Sequence, residues 1–235
     1  MQPYEELVKL LEGMGASFTG FADISGKLGG SFQSCHYAVS FGLRLSDAII
    51  DEITDKPTFT YFHHYRTVNT MLDQIALRGQ LFIQQLGYNA VAVPASQTVN
   101  NMEDPYSGIF PHKTAAVLAG LGRIGKNGLF LHEVFGPRVR LVTILTDMAL
   151  PCEKPVRKGS CQNCSRCVDA CPALALTGKE WHEGAAREEI VDAKACSDYM
   201  NNNFKQIGRG SVCGICIKVC PLHGNINSIV NKKLT

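Results

Sequence analysis

Eight of the ten cysteines in this 235-residue chain stand in one pattern: Cys161, Cys164, Cys167 and Cys171-Pro172, then Cys196, then Cys213, Cys216 and Cys220-Pro221. This array restricts the fold more than any other feature, because thiolates that share a centre dictate how their segments converge. A cubane iron-sulfur cluster needs one thiolate at each of four iron corners, and cysteines three apart in a tight loop reach three of them. In the run C-x2-C-x2-C-x3-C-P the fourth cysteine serves the other of two clusters. The spacing therefore assigns Cys161, Cys164, Cys167 and Cys220 to one [4Fe-4S] cluster and Cys171, Cys213 and Cys216 to a second. Cys196 is the nearest thiolate to complete the second set. Each proline, without an N–H and with φ fixed, directs the chain away from its cluster.

Two simpler readings compete. A disulfide framework belongs to an oxidising compartment and usually to a shorter secreted chain, whereas the first ten residues carry Glu5 and Glu6 and no apolar signal core. Structural zinc pairs two short cysteine clusters across a longer gap, and four cysteines within eleven residues followed by proline fit that poorly. Reduced thiolates predict a reducing cytoplasm, and no run of apolar residues predicts a membrane span. Cys35 and Cys152 lie outside the spacing and read as packed or free thiols.

With 45% hydrophobic and 19% charged residues the chain can bury a sizeable core. Its formal net charge of +2 gives no nucleic-acid signature. Residues 1–150 read as a mixed α/β domain of α+β type, a sheet with flanking helices, and residues 151–235 as a small ferredoxin-like double-cluster domain. Helical spacing marks Tyr4 to Met14, Tyr61 to Leu86 with a stop at Gly87, and Thr114 to Leu121. Strands are expected at His36 to Leu43, Asn89 to Pro94, Phe130 to His132 and Arg138 to Thr146, the last two joined by Gly136-Pro137. His63 and His64 are adjacent, so they cannot face one direction on a helix, and read as surface or partly packed residues. The Glu-rich stretch Glu180 to Glu189 reads as a surface loop or short helix.

The string Gly120-Leu-Gly-Arg-Ile-Gly125-Lys126-Asn127-Gly128 contains a formal G-x-G-x-x-G, with Asp147 about the right distance on. Its context excludes a dinucleotide fingerprint, since it follows a helix and leaves no room for another before the next strand. It reads instead as a tight polar loop whose backbone N–H groups could hold an anionic or amide-bearing ligand. Lys113 and Lys126 flank it.

The segment Ala119 to Asn127, a hairpin ending Leu145-Thr-Asp147, a Pro-rich junction and the double-cluster pattern together resemble the epoxyqueuosine reductase family and its shorter relatives, most strongly from about His112 to Leu222. The resemblance implies a nitroreductase-related, cobalamin-binding α/β domain, akin to that of reductive dehalogenases, beside a ferredoxin-like domain. It also implies that Gly122, Gly125, Lys126, Asn127, Asp198 and Tyr199 lie near the corrinoid, with Asn201 close by. The clusters would relay electrons to the corrinoid, which carries the difficult chemistry.

This chain departs from the family at two points. The usual Val-Asp-Ser-Ala-Pro, whose Asp supplies a proton, corresponds here to Val93-Pro94-Ala95-Ser96-Gln97, which has no acid. Glu103, Asp104, Tyr106 or His112 could substitute, with His112 and Asp104 the leading candidates. The chain also ends soon after Pro221, and with its near-neutral charge this sets a tRNA partner in doubt. The expected function is that of an iron-sulfur oxidoreductase receiving electrons from a ferredoxin or flavodoxin and acting on a small molecule or modified nucleoside. An electron-transfer protein without substrate chemistry, or a flavin-binding oxidoreductase, are the alternatives.

Overall fold

The computed structural model describes residues 2–96, 106, 108–154, 161–210 and 212–223. In chain order the elements are α1 (Pro3–Gly13), β1 (Phe18–Asp23), β2 (Tyr37–Arg44), α2 (Asp47–Asp51), α3 (Phe59–Gln85), β3 (Ala90–Val93), α4 (His112–Leu118), β4 (Gly122–Ile124), β5 (Phe130–His132), β6 (Val139–Thr146), α5 (Arg166–Asp169), α6 (Arg187–Ile190), α7 (Ala193–Asn203), α8 (Lys205–Gly208) and α9 (Ile215–Lys218). They form two compact units that interleave along the sequence. The first comprises residues 1–44, 67–122 and 140–156, and the second 45–66, 123–139 and 157–235. Segments 45–66 and 123–139 thus pack with the cysteine array.

The first unit is built on a four-stranded sheet in the order β1-β2-β6-β3. β1 pairs antiparallel with β2, Phe18 opposite Gly42 through Asp23 opposite Tyr37. β3 pairs antiparallel with β6, Ala90 opposite Thr146 through Val93 opposite Thr143. Alternation along the strands gives the sheet two apolar faces. On one, Ala22, Ala38, Val93 and Leu145 pack with Ala115 and Ala119 of the α4 segment. On the other, Gly79 of α3 sits against Ile144, Leu11 and Leu7, so α3 and α1 cover the sheet together. Asn89 closes the sheet edge with two bonds to the Asp147 carboxylate, at 2.9 and 2.6 Å. Asp147 is therefore a strand clasp and not the acid of a dinucleotide site.

The Gly-rich segment is a hairpin. Gly122–Ile124 form a strand that pairs with β5, and the tip is closed by Gly125 N–H to Leu129 O (2.9 Å) and by the Asn127 side chain accepting Leu129 N–H (3.1 Å). A loop expectation for residues 122–124 is corrected here, because three residues among glycines carry too little alternation to announce a strand. The hairpin expected from β5 and β6 is also corrected. β5 pairs with β4 while β6 lies in the larger sheet.

Between β5 and β6, His132 organises the turn. Its Nδ1 accepts the N–H groups of Val134 and Phe135 (3.1 and 3.3 Å), and its ring stacks on Phe135. Burial pushes its pKa down to about 4, because a charged imidazolium would lose its hydration there, and the neutral ring so favoured is the form that accepts. The unfolded chain takes up this proton near pH 6.5 and the folded chain only near pH 4. The stabilisation is therefore complete above pH 6.5 and is lost as pH falls through that window, by up to roughly 3 kcal/mol. His132→Asn, measured by denaturation across pH 4 to 7, is expected to flatten this part of the wild-type pH slope.

Arg138 is 2% exposed, and its guanidinium binds Asp47 and Asp51 of α2, each at 2.9 Å. Lys218 of α9 also reaches Asp51 (3.0 Å), so α2 is tied to a helix that carries a cysteine of the array. The Arg138 guanidinium and then Lys218 hold the Asp51 carboxyl below its usual range. The partners are unequal in burial, since the Asp51 side chain is half exposed. Asp47→Ala with Asp51→Ala strands a buried cation and is expected to cost roughly 3–5 kcal/mol. Arg138→Met leaves carboxylates that water reaches and should cost clearly less, as anaerobic urea titration would show.

Candidate metal centres and their surroundings

All eight cysteines of the array belong to the second unit. Cys167 lies in α5, Cys196 in α7 and Cys216 in α9. The α7 turn is fixed by its N-cap, where the Asp192 carboxylate accepts Ala195 N–H at 2.8 Å. α9 begins at Gly214, whose φ is +83° and whose Cα lies so near Ile53 and Tyr61 that a Cβ would meet both within 2.8 Å. Only glycine allows the chain to turn into the last two cysteines while packed on those side chains.

Electrostatics shows which thiols are neighbours. Burial raises each shifted thiol most, and repulsion between neighbouring thiolates adds to it. Cys220, pushed up to about 11, feels Cys161, Cys167 and Cys164, while Cys167 feels Cys161 and Cys164. Cys213, also pushed up to about 11, feels Cys196 and Cys171. Cys196 feels Cys171 and Asp192. Cys216 is raised further, by burial and then by Cys213, Cys196, Cys167 and Cys171. The structure thus brings Cys161, Cys164, Cys167 and Cys220 together, and Cys171, Cys196, Cys213 and Cys216 together, with Cys167 and Cys216 where the groups meet. Among the described residues no three His, Cys, Asp or Glu side chains group closely enough to hold a single metal ion. Two all-sulfur sets of four, buried or half-buried, fit cubane clusters. Loading them displaces the thiol protons, so assembly is favoured as pH rises.

The other two thiols stay outside. Cys35 is buried in the first unit, and Cys152 has its sulfur 3.5 Å from Leu150 O. His63 is exposed, and His64 accepts Ser46 N–H through Nε2 at 3.1 Å.

Of the residues expected near a corrinoid, four have side chains engaged within the protein. Lys126 Nζ donates to Gln162 O (2.6 Å), between Cys161 and Cys164, and Asn127 Nδ2 to Cys216 O (3.5 Å). Asp198 pairs with Lys194, and Tyr199 packs edge-on against Phe204. Gly122 and Gly125 are buried in the hairpin. The hairpin tip therefore braces the cysteine loops, a role its composition did not announce. To meet a corrinoid, Lys126, Asn127 and Asp198 would have to exchange these partners.

In the first unit the Pro94-Ala95 turn is held at every backbone polar group. His112 Nε2 donates to Pro94 O (3.0 Å) while its Nδ1 meets the Thr143 hydroxyl (2.9 Å). Asp73 accepts Ala95 N–H (2.8 Å), and Arg140 donates to Ala95 O (3.3 Å). Burial keeps the His112 pKa below its ordinary value. Asp104, with Glu103, lies outside the described residues.

Comparison with known proteins agrees with this arrangement. Residues 160–223 match a 4Fe-4S double cluster binding domain. The chain is 29% identical over 162 residues to a tetrachloroethene reductive dehalogenase of Desulfitobacterium hafniense, covering 63% of this chain and 26% of the relative. It is 32% identical over 154 residues to that of Sulfurospirillum multivorans, covering 62% and 28%. Against the epoxyqueuosine reductase of Lactococcus garvieae (strain Lg2) it is 33% identical over 122 residues, covering 48% and 32%. The chain thus spans between about a quarter and a third of these relatives' length. Among solved structures, the catabolic reductive dehalogenase NpRdhA matches with a TM-score of 0.74 at 21% identity, covering 94% of this chain and 32% of that one. The epoxyqueuosine reductase from Streptococcus thermophilus matches with a TM-score of 0.60 at 19% identity, covering 94% and 66%. The chain therefore carries a 4Fe-4S double cluster binding domain within the fold of reductive dehalogenases and epoxyqueuosine reductases, and it is similar in sequence to both.

Proposed function

We propose that the chain is an iron-sulfur oxidoreductase whose two [4Fe-4S] clusters relay electrons to a corrinoid. Cys161, Cys164, Cys167 and Cys220 would hold one cluster and Cys171, Cys196, Cys213 and Cys216 the other. The observation that carries this reading is the division of eight buried or half-buried thiols into two groups of four with crossed membership. On this reading the corrinoid and substrate would lie within residues 1–150 and the clusters within 151–235, with segments 45–66 and 123–139 packed in the unit that carries the cysteines. Cobalamin is proposed from the fold, since a solved dehalogenase of that fold is described as acting by B12-dependent dehalogenation. When bound, a low-valent corrinoid supplies the reducing power that no side chain has. This chain's own residues brace the cluster loops through Lys126 and Asn127 and hold the Pro94-Ala95 turn through His112, Asp73 and Arg140.

A small molecule or modified nucleoside is the proposed substrate. An epoxyqueuosine reductase of this fold has been crystallised with a modified tRNA stem loop, but a net charge of +2 does not supply the basic surface that whole-tRNA binding calls for. Among the described residues no helix is long and apolar enough to cross a membrane. The need for free thiolates supports a reducing cytoplasm.

One observation favours a second reading, that of an electron-transfer protein without substrate chemistry. The Pro94-Ala95 turn has no acid of its own, the Asp73 carboxylate beside it is engaged by Ala95 N–H, and His112 has both ring nitrogens occupied, which suits positioning roles. Anaerobic purification with iron and sulfide analysis, followed by cobalamin titration, separates the two. About eight irons per chain and a base-off cobalamin spectrum retained on gel filtration are expected. A cluster-loaded protein that leaves the cobalamin spectrum unchanged would establish the second reading.

A further inference from the structure

Beside Cys220 the second unit has a shallow depression of about 580 Å³, lined by Arg166, Asp169, Lys218, Pro221 and His223, with Cys220 itself in its wall. The charges around it are not balanced alike. Lys218 is tied to Asp51 and Asp169 accepts the Ser165 hydroxyl at 2.6 Å. Arg166 is exposed and has no ion-pair partner among the described residues.

Apolar side chains stand in water on the same cysteine segments. Leu174, three residues after Cys171, is 87% exposed with φ +50°, and Leu222, two after Cys220, is 39% exposed. A leucine in left-handed backbone costs about 1–2 kcal/mol, and no burial offsets it here. Both stand close in sequence to residues that line the depression, Leu174 after Ala170 and Leu222 between Pro221 and His223, and exposed apolar side chains beside charged ones are the anatomy of a transient protein interface.

We infer that this face is the docking surface for a small acidic electron-carrier protein, which delivers electrons to the cluster held in part by Cys220. The inference rests on the relay reading above. The occupant follows from two features. The guanidinium of Arg166, exposed and without an ion-pair partner among the described residues, selects a negatively charged partner and speeds its encounter. Cys220, which would hold one cluster, forms part of the wall, so a redox group seated there would lie against that residue. One electron leaves the reduced carrier and one oxidised cluster is reduced by it, with no bond made or broken.

The test is anaerobic rapid-mixing reduction of the cluster-loaded protein by two donors, photoreduced flavodoxin as an acidic carrier and photoreduced 5-deazariboflavin as a small uncharged one. Arg166→Glu and Leu174→Ser are compared with wild type after iron analysis shows both clusters present. The flavodoxin rate is expected to fall about 10-fold or more in Arg166→Glu at low salt, and to fall in wild type as salt is raised. It should fall several-fold in Leu174→Ser, while the deazaflavin rates stay equal throughout. Unchanged flavodoxin rates in both variants, a salt-independent rate, or equal losses with both donors would overturn the docking surface. Flavodoxin that fails to reduce wild type while deazaflavin succeeds overturns the surface alone. Clusters that deazaflavin cannot reduce overturn the relay reading, and the surface with it.

Discussion

Cys196→Ala is expected to remove one of two clusters and leave the other, so that iron and sulfide in the anaerobically purified variant fall to about half the wild-type values. The expectation follows from position. Cys196 lies outside both tight cysteine runs, on a helix whose first turn is fixed by Asp192, and its thiol feels Cys171 while Cys213 and Cys216 feel it. Cys161, Cys164, Cys167 and Cys220 keep one another as neighbours without it. Magnetic spectra of the reduced variant should accordingly lose the signature of two interacting centres. Cys35→Ala and Cys152→Ala should keep full iron, because both thiols belong to the first unit. Full iron in Cys196→Ala would sink the ligand assignment, and loss on changing Cys152 would name its replacement.

The second large effect is expected from a residue that touches no metal. Gly136 has φ +54°, and a Cβ there would lie 1.2 Å from Leu222 O and 2.5 Å from the same carbonyl carbon. The overlap is with backbone, so no rotamer relieves it. Leu222 N–H donates to the Cys220 thiol, which lowers the pKa that burial raises. Gly136→Ala must push this segment away, removing a hydrogen bond to sulfur and moving a ligand. Hydrogen bonds to cluster sulfur set the potential, so one cluster should be lost or shifted to lower potential while the second is spared. Gly184→Ala is the matched control, since its φ is +86° with nothing within 4 Å of an added Cβ. It should cost only backbone strain, of order 1 kcal/mol. Gly136→Ala with full iron and unchanged potentials would show that Leu222 can give way freely.

The metal centres were legible because short cysteine runs are local and their geometry follows from the size of the cluster. The long helix α3 was legible for a similar reason, having an apolar period and a stop at Gly87. β1 was not. Gly20 interrupts its alternation, and the structure explains the glycine, since a Cβ there would stand 3.0 Å from Leu121 and 3.1 Å from Ala119 O. The contacts of Lys126 and Asn127 were hidden too. They join residues 36 and 89 positions apart, and side chains paired over such separations leave no period to read. Arg138 looked like the start of a strand, yet its burial depends on two carboxylates far back in the chain.

Crossed membership also bears on how the protein is made. During synthesis the first run emerges with Cys161, Cys164, Cys167 and Cys171, and no complete set of four partners exists at that stage. With the proposed ligands one set closes only when Cys216 appears and the other at Cys220, four residues later. Neither half can be finished ahead of the other, so the ribosome releases a chain whose two centres mature almost together. A chain broken between Cys196 and Cys213 would then yield two fragments with incomplete sites, and not one working centre and one empty one.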